Sequence, residues 1–298
     1  MRSRRWVAPF GLSLVVICGC SSGDHAPSSV QRSPEPSASV AKTPEVPAVP
    51  PVPASQAQEV SFETSDKIPL SGTLYRAGDD TAPVLVFVHR FRGDRKEWEP
   101  LADKLAGGDK RFNIVNFDLR GHGQSVSASG KKRLDWSTMK PKDMPAFVLD
   151  VRAAIAFGAS KTADKARGVV VVGSSLGAAF AARAASMEPK VTAIGLVSPG
   201  AAIEGFDVYH PFADVRMLPS FIAGAKDDNV SREPVTSLAQ MAKDLGTVKV
   251  YDGKAHGALG LSQEGDPIFA DLTDWLATVY DAAPKDRPLF SDRKEAKR

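Results

Sequence analysis

The chain has 298 residues, enough for one large domain or two small ones, and its 43% apolar and 24% charged residues suit an ordinary folded core. Its formal net charge of +3 sits at the two ends: three arginines fall within the first five residues, and six basic against three acidic residues within the last fifteen. The interior is therefore about −3 and offers no basic face for nucleic acid. Cys18 and Cys20 are the only cysteines, which excludes a disulfide, a thiolate nucleophile or a cysteine-ligated metal from the rest of the chain.

The first element is a targeting segment. Arg2, Arg4 and Arg5 precede the apolar run W-V-A-P-F-G-L-S-L-V-V-I-C, a positive start and a short hydrophobic stretch of the kind found in secretory signals, too short to span a bilayer comfortably. Its ending, Ile17-Cys18-Gly19-Cys20, resembles a bacterial lipobox. That resemblance implies a signal peptide over 1–19, cleavage before Cys20 and acylation of that cysteine. Residues 20–58 are rich in Pro, Ser, Ala and Val and contain no aromatic residue. Such a stretch cannot bury enough surface to offset its ordering entropy. It reads as a tether of ~3 Å per residue and at most about 100 Å, holding a soluble domain away from a bilayer. Ser21 after the cysteine suggests, by analogy with lipoprotein sorting, the outer membrane.

A folded domain is expected over 59–283, followed by a charged, disordered tail over 284–298. Strand-like runs lie at 59–64, 70–76, 84–89, 112–117, 168–173, 192–197, 219–224 and 247–251, and helix-like stretches at 97–106, 143–159, 176–186, 234–244 and 266–281. Runs such as V-L-V-F-V and V-V-V-V are apolar at every position, as expected of strands covered by helices on both faces. The alternation predicts an α/β fold with a mainly parallel sheet and right-handed crossovers. The first two strands are joined by only S-D-K-I-P and are expected to pair antiparallel.

The stretch G173-S-S-L-G177 lies where the fifth strand gives way to a helix. A serine hydroxyl is a weak nucleophile that needs a nearby base and a site for an oxyanion. A sharp strand-to-helix turn exposes the middle residue of G-x-S-x-G and sets the helix's first N–H beside its oxygen. This assigns Ser175 as nucleophile and Ser174 as a wall residue. Of five histidines, only His256, in K-A-H-G-A-L-G, follows the last strand on the same sheet edge. Asp227 and Asp228 follow the seventh strand, and either could orient the imidazole.

With these motifs in place the chain resembles the α/β-hydrolase family over nearly all of 59–283. The segment F-V-H-R-F-R-G-D-R-K-E-W-E-P-L-A-D-K-L-A looks like the family's oxyanion loop and first helix. N-F-D-L-R-G-H-G-Q-S is similar to the segment after the fourth strand in lipase, esterase and serine-aminopeptidase relatives, and G-A-K-D-D-N-V resembles the family's G-x-x-D-x-x-V acid loop. The resemblance implies a triad of Ser175, Asp227 and His256, with the backbone N–H groups of Phe91 and Leu176 as oxyanion donors. It also implies a loop role for His122. Arg90 departs from the pattern by standing where relatives usually carry glycine. The interval 198–219 is too short for a multi-helix cap, and Phe91, Phe206, Tyr209 and Phe212 are candidates to line an open site.

The expected protein is thus a membrane-tethered monomeric serine hydrolase, a carboxylesterase for small esters, using no cofactor and no metal. A hydrolase of short peptides and an inactive binding module on the same fold stand as alternatives.

Overall fold

The computed structural model describes residues 57–282, apart from 109–110, 127–132, 164–166, 204 and 266. The signal segment, Cys20, the expected 20–58 tether as far as residue 56 and the tail lie outside the described residues; residues 57 and 58, expected in the tether, begin the first strand.

Strands β1 (Ala57–Glu63), β2 (Pro69–Tyr75), β3 (Val84–Val88), β4 (Asn113–Phe117), β5 (Val169–Ser174) and β6 (Val191–Val197) are followed by a short hairpin, β7 (Ala202–Ile203) and β8 (Phe206–Asp207), then β9 (Ser220–Ala225) and β10 (Gly246–Tyr251). Eight of them form one sheet in the order β1-β2-β4-β3-β5-β6-β9-β10. β2 pairs antiparallel with β1 and with β4, and the remaining pairs are parallel. The helices are α1 (Glu99–Gly107), α2 (Phe147–Ala159), α3 (Leu176–Met187), α4 (Tyr209–Val215), α5 (Arg232–Ala242), α6 (Gly257–Gln263) and α7 (Ile268–Ala282). This is the expected doubly covered sheet.

Strand periodicity sorts the side chains into two cores. Val84, Val86 and Val88 of β3 face one core with α2, α3, α4 and α5, while Leu85 and Phe87 face the other with α1, α6 and α7. Val169 and Val171 against Val170 and Val172 repeat the division on β5. Because both faces are covered, every residue of β3 and β5 is buried. The alanine run of α3 has a packing reason: nine of its residues are buried, and small side chains let this helix lie close on the middle of the sheet.

Some local structure departs from expectation. Pro141–Ala146 forms a 3₁₀ turn, so α2 starts at Phe147 and not at 143. Pro145 lacks the N–H that an α-helix interior would use. The interval after β6 holds the β7–β8 hairpin and α4, with no cap domain among the described residues.

Candidate active site

The turn after β5 is built on two missing side chains. A Cβ on Gly173 would lie 2.3 Å from the carbonyl oxygen of Gly177, and one on Gly177 would lie 2.4 Å from that of His89. Only glycine lets α3 start this tightly against β5 and the end of β3. Between them Ser175 takes φ 55° and ψ −122°, a strained region for a residue with a side chain. Its backbone N–H donates to Val197 O at 2.8 Å, anchoring the turn to β6. The turn leaves the hydroxyl at the carboxyl edge of the sheet, at the N-terminus of α3.

His256 stands directly before α6 and meets this hydroxyl, with Nε2 2.8 Å from Ser175 Oγ. Its Nδ1 lies 2.6 Å from Oδ2 of Asp228. The acid on the histidine is therefore Asp228, and the expectation of Asp227 is corrected. The reason is a turn. Asp227 still follows the strand direction, donating its N–H to Gly253 O, whereas the Asp228 N–H folds back to Ala225 O. This turns the Asp227 side chain to solvent and the Asp228 side chain inward, where it is 5% exposed. Once inside, Asp228 accepts from Val230 N at 3.0 Å and from Ser231 Oγ at 2.5 Å, so both oxygens are held. Ser231 is a partner that sequence reasoning missed; its signal was the spacing D-x-x-S at the start of a helix.

The loop after β3 carries the candidate oxyanion donor. Leu119 N–H donates to His89 Nε2 at 3.0 Å, which leaves the ring proton on Nδ1, and Nδ1–H donates to Arg90 O at 2.7 Å. Gly93 N–H donates to the same carbonyl. With its oxygen held twice, the Arg90–Phe91 peptide is fixed and its N–H, that of Phe91, faces the other way. Among the described residues neither this N–H nor that of Leu176 has an acceptor. His122 braces the next residue: its Nε2 accepts from Arg92 N–H at 3.2 Å and its Nδ1–H donates to Arg120 O at 2.9 Å. Burial pulls both His89 and His122 down to about 4, which keeps them neutral and in these tautomers. His89 had no role assigned from sequence. Arg90, despite replacing a glycine, is not the left-handed residue of the loop; that residue is Arg92, at φ 67°.

Aromatic rings pack behind the loop. Phe91 makes edge contacts with His122, Trp136 and Phe147, and the Arg92 guanidinium lies 5.9 Å and 5.7 Å from the Phe91 and Trp136 ring centres. Phe206 and Tyr209 are half-buried on the rim of the core, but Phe212 is fully buried and is withdrawn as a lining residue. Among the described residues no cluster of His, Cys, Asp or Glu is arranged to hold a metal ion, and no helix is long and apolar enough to cross a membrane.

A sheet of this order, carrying a serine, histidine and carboxylate in hydrogen-bonded series at one edge, defines a class. The sequence profile of the alpha/beta hydrolase family matches residues 85–297, and the chain belongs to that family. Among solved structures, an esterase of Pyrococcus furiosus superposes with a TM-score of 0.59 at 18% identity, over 75% of this chain and 91% of that one. The alpha/beta hydrolase GrgF of a Penicillium species gives 0.58 at 14%, over 76% and 99%. A bacterial membrane phospholipase A gives 0.54 at 14%, over 76% and 88%. At these identities the likeness is one of fold. The chain is also 40% identical over 50 residues to 2-succinyl-6-hydroxy-2,4-cyclohexadiene-1-carboxylate synthase of Salmonella typhi, a match spanning 17% of this chain and 18% of that enzyme.

Proposed function

We propose that this chain is a serine hydrolase, a carboxylesterase for small esters, held at a bacterial envelope membrane through Cys20. The observation that carries the catalytic part is the unbroken series Ser175 Oγ, His256, Asp228, with separations of 2.8 Å and 2.6 Å. Ser175 Oγ attacks the acyl carbon while His256 Nε2 takes its proton. Asp228 keeps the other ring proton on Nδ1 and stabilises the imidazolium. The oxygen that gains charge faces the N–H groups of Phe91 and Leu176. Collapse expels the alcohol, which receives the proton from His256. Water then repeats the sequence on the acyl-enzyme, releasing the acid and restoring the serine. The cycle consumes only ester and water.

A fluorophosphonate probe reacts with an activated serine, so it is expected to label the wild type and not Ser175→Ala. A panel of esters, thioesters and aminoacyl amides then identifies the substrate class; preference for amides would replace the esterase by a peptidase of short substrates. If the wild type neither labels nor turns over any of them, a binding module on the hydrolase fold takes the place of this reading. The membrane part rests on I-C-G-C and the proline-rich stretch that follows it. Cys20→Ser is expected to release the protein from membranes on fractionation or to leave an uncleaved precursor. Wild-type protein already in the soluble fraction would refute the anchor.

A further inference from the structure

Behind the triad lies a carboxylate that the mechanism does not use. Glu97 ends the 3₁₀ turn Arg95–Glu97, which Asp94 caps through the N–H of Lys96, and it is 3% exposed. Burying a carboxylate costs several kcal/mol unless it is well bonded, so its partners indicate what holds it there. Oε2 accepts from the Arg90 N–H at 2.7 Å. Oε1 accepts from the Ser174 hydroxyl at 2.8 Å and has the Arg90 guanidinium at 3.8 Å. Ser174 Oγ in turn accepts from Ala258 N–H at 3.2 Å. Gly257, at φ +80°, brings the histidine loop so near that a Cβ there would sit 3.0 Å from Glu97 Oε1.

One carboxylate therefore ties together three segments that are remote in sequence. Arg90 begins the peptide whose N–H is the Phe91 donor, Ser174 adjoins the nucleophile, and Ala258 and Gly257 follow His256. We infer that Glu97 is a positioning residue that, together with Ser174 and Arg90, holds the oxyanion loop, the nucleophile turn and the histidine loop in register. The inference rests on the serine-hydrolase reading above. It also gives Arg90 a use: its guanidinium forms an ion pair with Glu97 at 3.8 Å that glycine at this position would lack. Glu97 touches neither substrate nor reacting atoms and acts through the segments it joins.

Glutamine has the shape of glutamate but cannot accept at both ends. With its carbonyl on Arg90 N–H, its amide faces Ser174 Oγ, which already accepts from Ala258, and the serine proton loses its acceptor. Loosening such a frame by a fraction of an ångström costs about 10–100-fold in rate. The experiment compares wild type, Glu97→Gln, Ser174→Ala and the double variant. It measures kcat and KM on a p-nitrophenyl ester, the rate of labelling by a fluorophosphonate, and the thermal midpoint. Glu97→Gln is expected to lower kcat and the labelling rate together by ~10–100-fold, with KM within about twofold. The double variant is expected to be no slower than Glu97→Gln alone, since both break one bridge. Full kcat in Glu97→Gln, additive losses in the double variant, or a loss confined to the thermal midpoint would overturn the role while leaving the serine mechanism standing. A wild type that neither labels nor hydrolyses removes the mechanism itself and the inference with it.

Discussion

Replacing Asp228 by asparagine tests the site most sharply, because the structure fixes which way the new amide must point. The Asp228 oxygen that accepts from Val230 N–H cannot be exchanged for an NH₂ without setting two donors face to face. The amide carbonyl is therefore held on Val230, and the NH₂ takes the place of the oxygen that now faces Ser231 and His256. That NH₂ donates to His256 Nδ1, so the ring proton moves to Nε2, where it points at Ser175 Oγ and blocks proton abstraction. The ground-state tautomer is wrong even though the positions are unchanged. A loss of ~10⁴ in kcat follows, about 5 kcal/mol of transition-state stabilisation. Asp227→Asn alters an exposed side chain whose structural link is its backbone N–H to Gly253, and it should stay within about twofold of wild type. Steady-state hydrolysis of a p-nitrophenyl ester, with circular dichroism to confirm folding, separates the two. If Asp228→Asn keeps more than about a tenth of the wild-type rate, or if Asp227→Asn is the variant that falls by ~10⁴, the tautomer argument is refuted.

Ser175→Ala is expected to lower ester turnover by ~10⁴–10⁶-fold, as read by the same assay at high enzyme concentration. Ser175→Gly should lose activity equally yet unfold at higher temperature. It relieves about 1–3 kcal/mol of backbone strain at φ 55°, against ~0.5–1 kcal/mol of added chain entropy; a lower midpoint would argue that the turn is unstrained. Gly177→Ala forces a Cβ to within 2.4 Å of His89 O, so it should destabilise by about 1–3 kcal/mol and slow the enzyme together. Urea titration at the wild-type midpoint would detect this, and an unchanged midpoint would mean that α3 can shift. Finally, His89 and His122 titrate near 4 when folded but near 6.5 when free. The unfolded chain therefore binds more protons through that window, and stability falls as pH drops below 6.5. Going from pH 7 to pH 5 should cost about 2 kcal/mol per histidine. A stability flat over that range would contradict the buried, neutral assignment.

Most of the fold was legible because its central strands are apolar at every position and its helices are separated by turn residues; β3 and β5 fall within a residue of expectation. What escaped is short or cooperative. β7, β8 and α4 together span little more than a dozen residues, too few for a period to show. α6 begins at Gly257, a residue that would ordinarily argue against a helix start. At the site, G-S-S-L-G and A-H-G were readable because their flanks demanded a particular backbone. The acid was misread because Asp227 and Asp228 differ only in which side of a turn they occupy. That is decided by the Asp228 N–H to Ala225 bond, not by either side chain. Charged pairs across the fold were invisible for a related reason. Arg120 binds Asp150 at 2.8 Å and Asp66 at 2.7 Å, yet the partners lie 30 and 54 residues away.

The three side chains of the hydrogen-bonded series are also spread unevenly along the chain. His256 lies 81 residues after Ser175 and 28 after Asp228, and it stands in the loop between the last strand of the sheet and the two terminal helices. In a polypeptide emerging from a ribosome, β5 and its serine turn are made 81 residues before His256. Until β10 has docked on β9, the Ser175 hydroxyl has no histidine beside it. On the serine mechanism proposed above, turnover requires β10 docked on β9 and His256 in place, so the first turnover of a refolding molecule reports the docking of this segment.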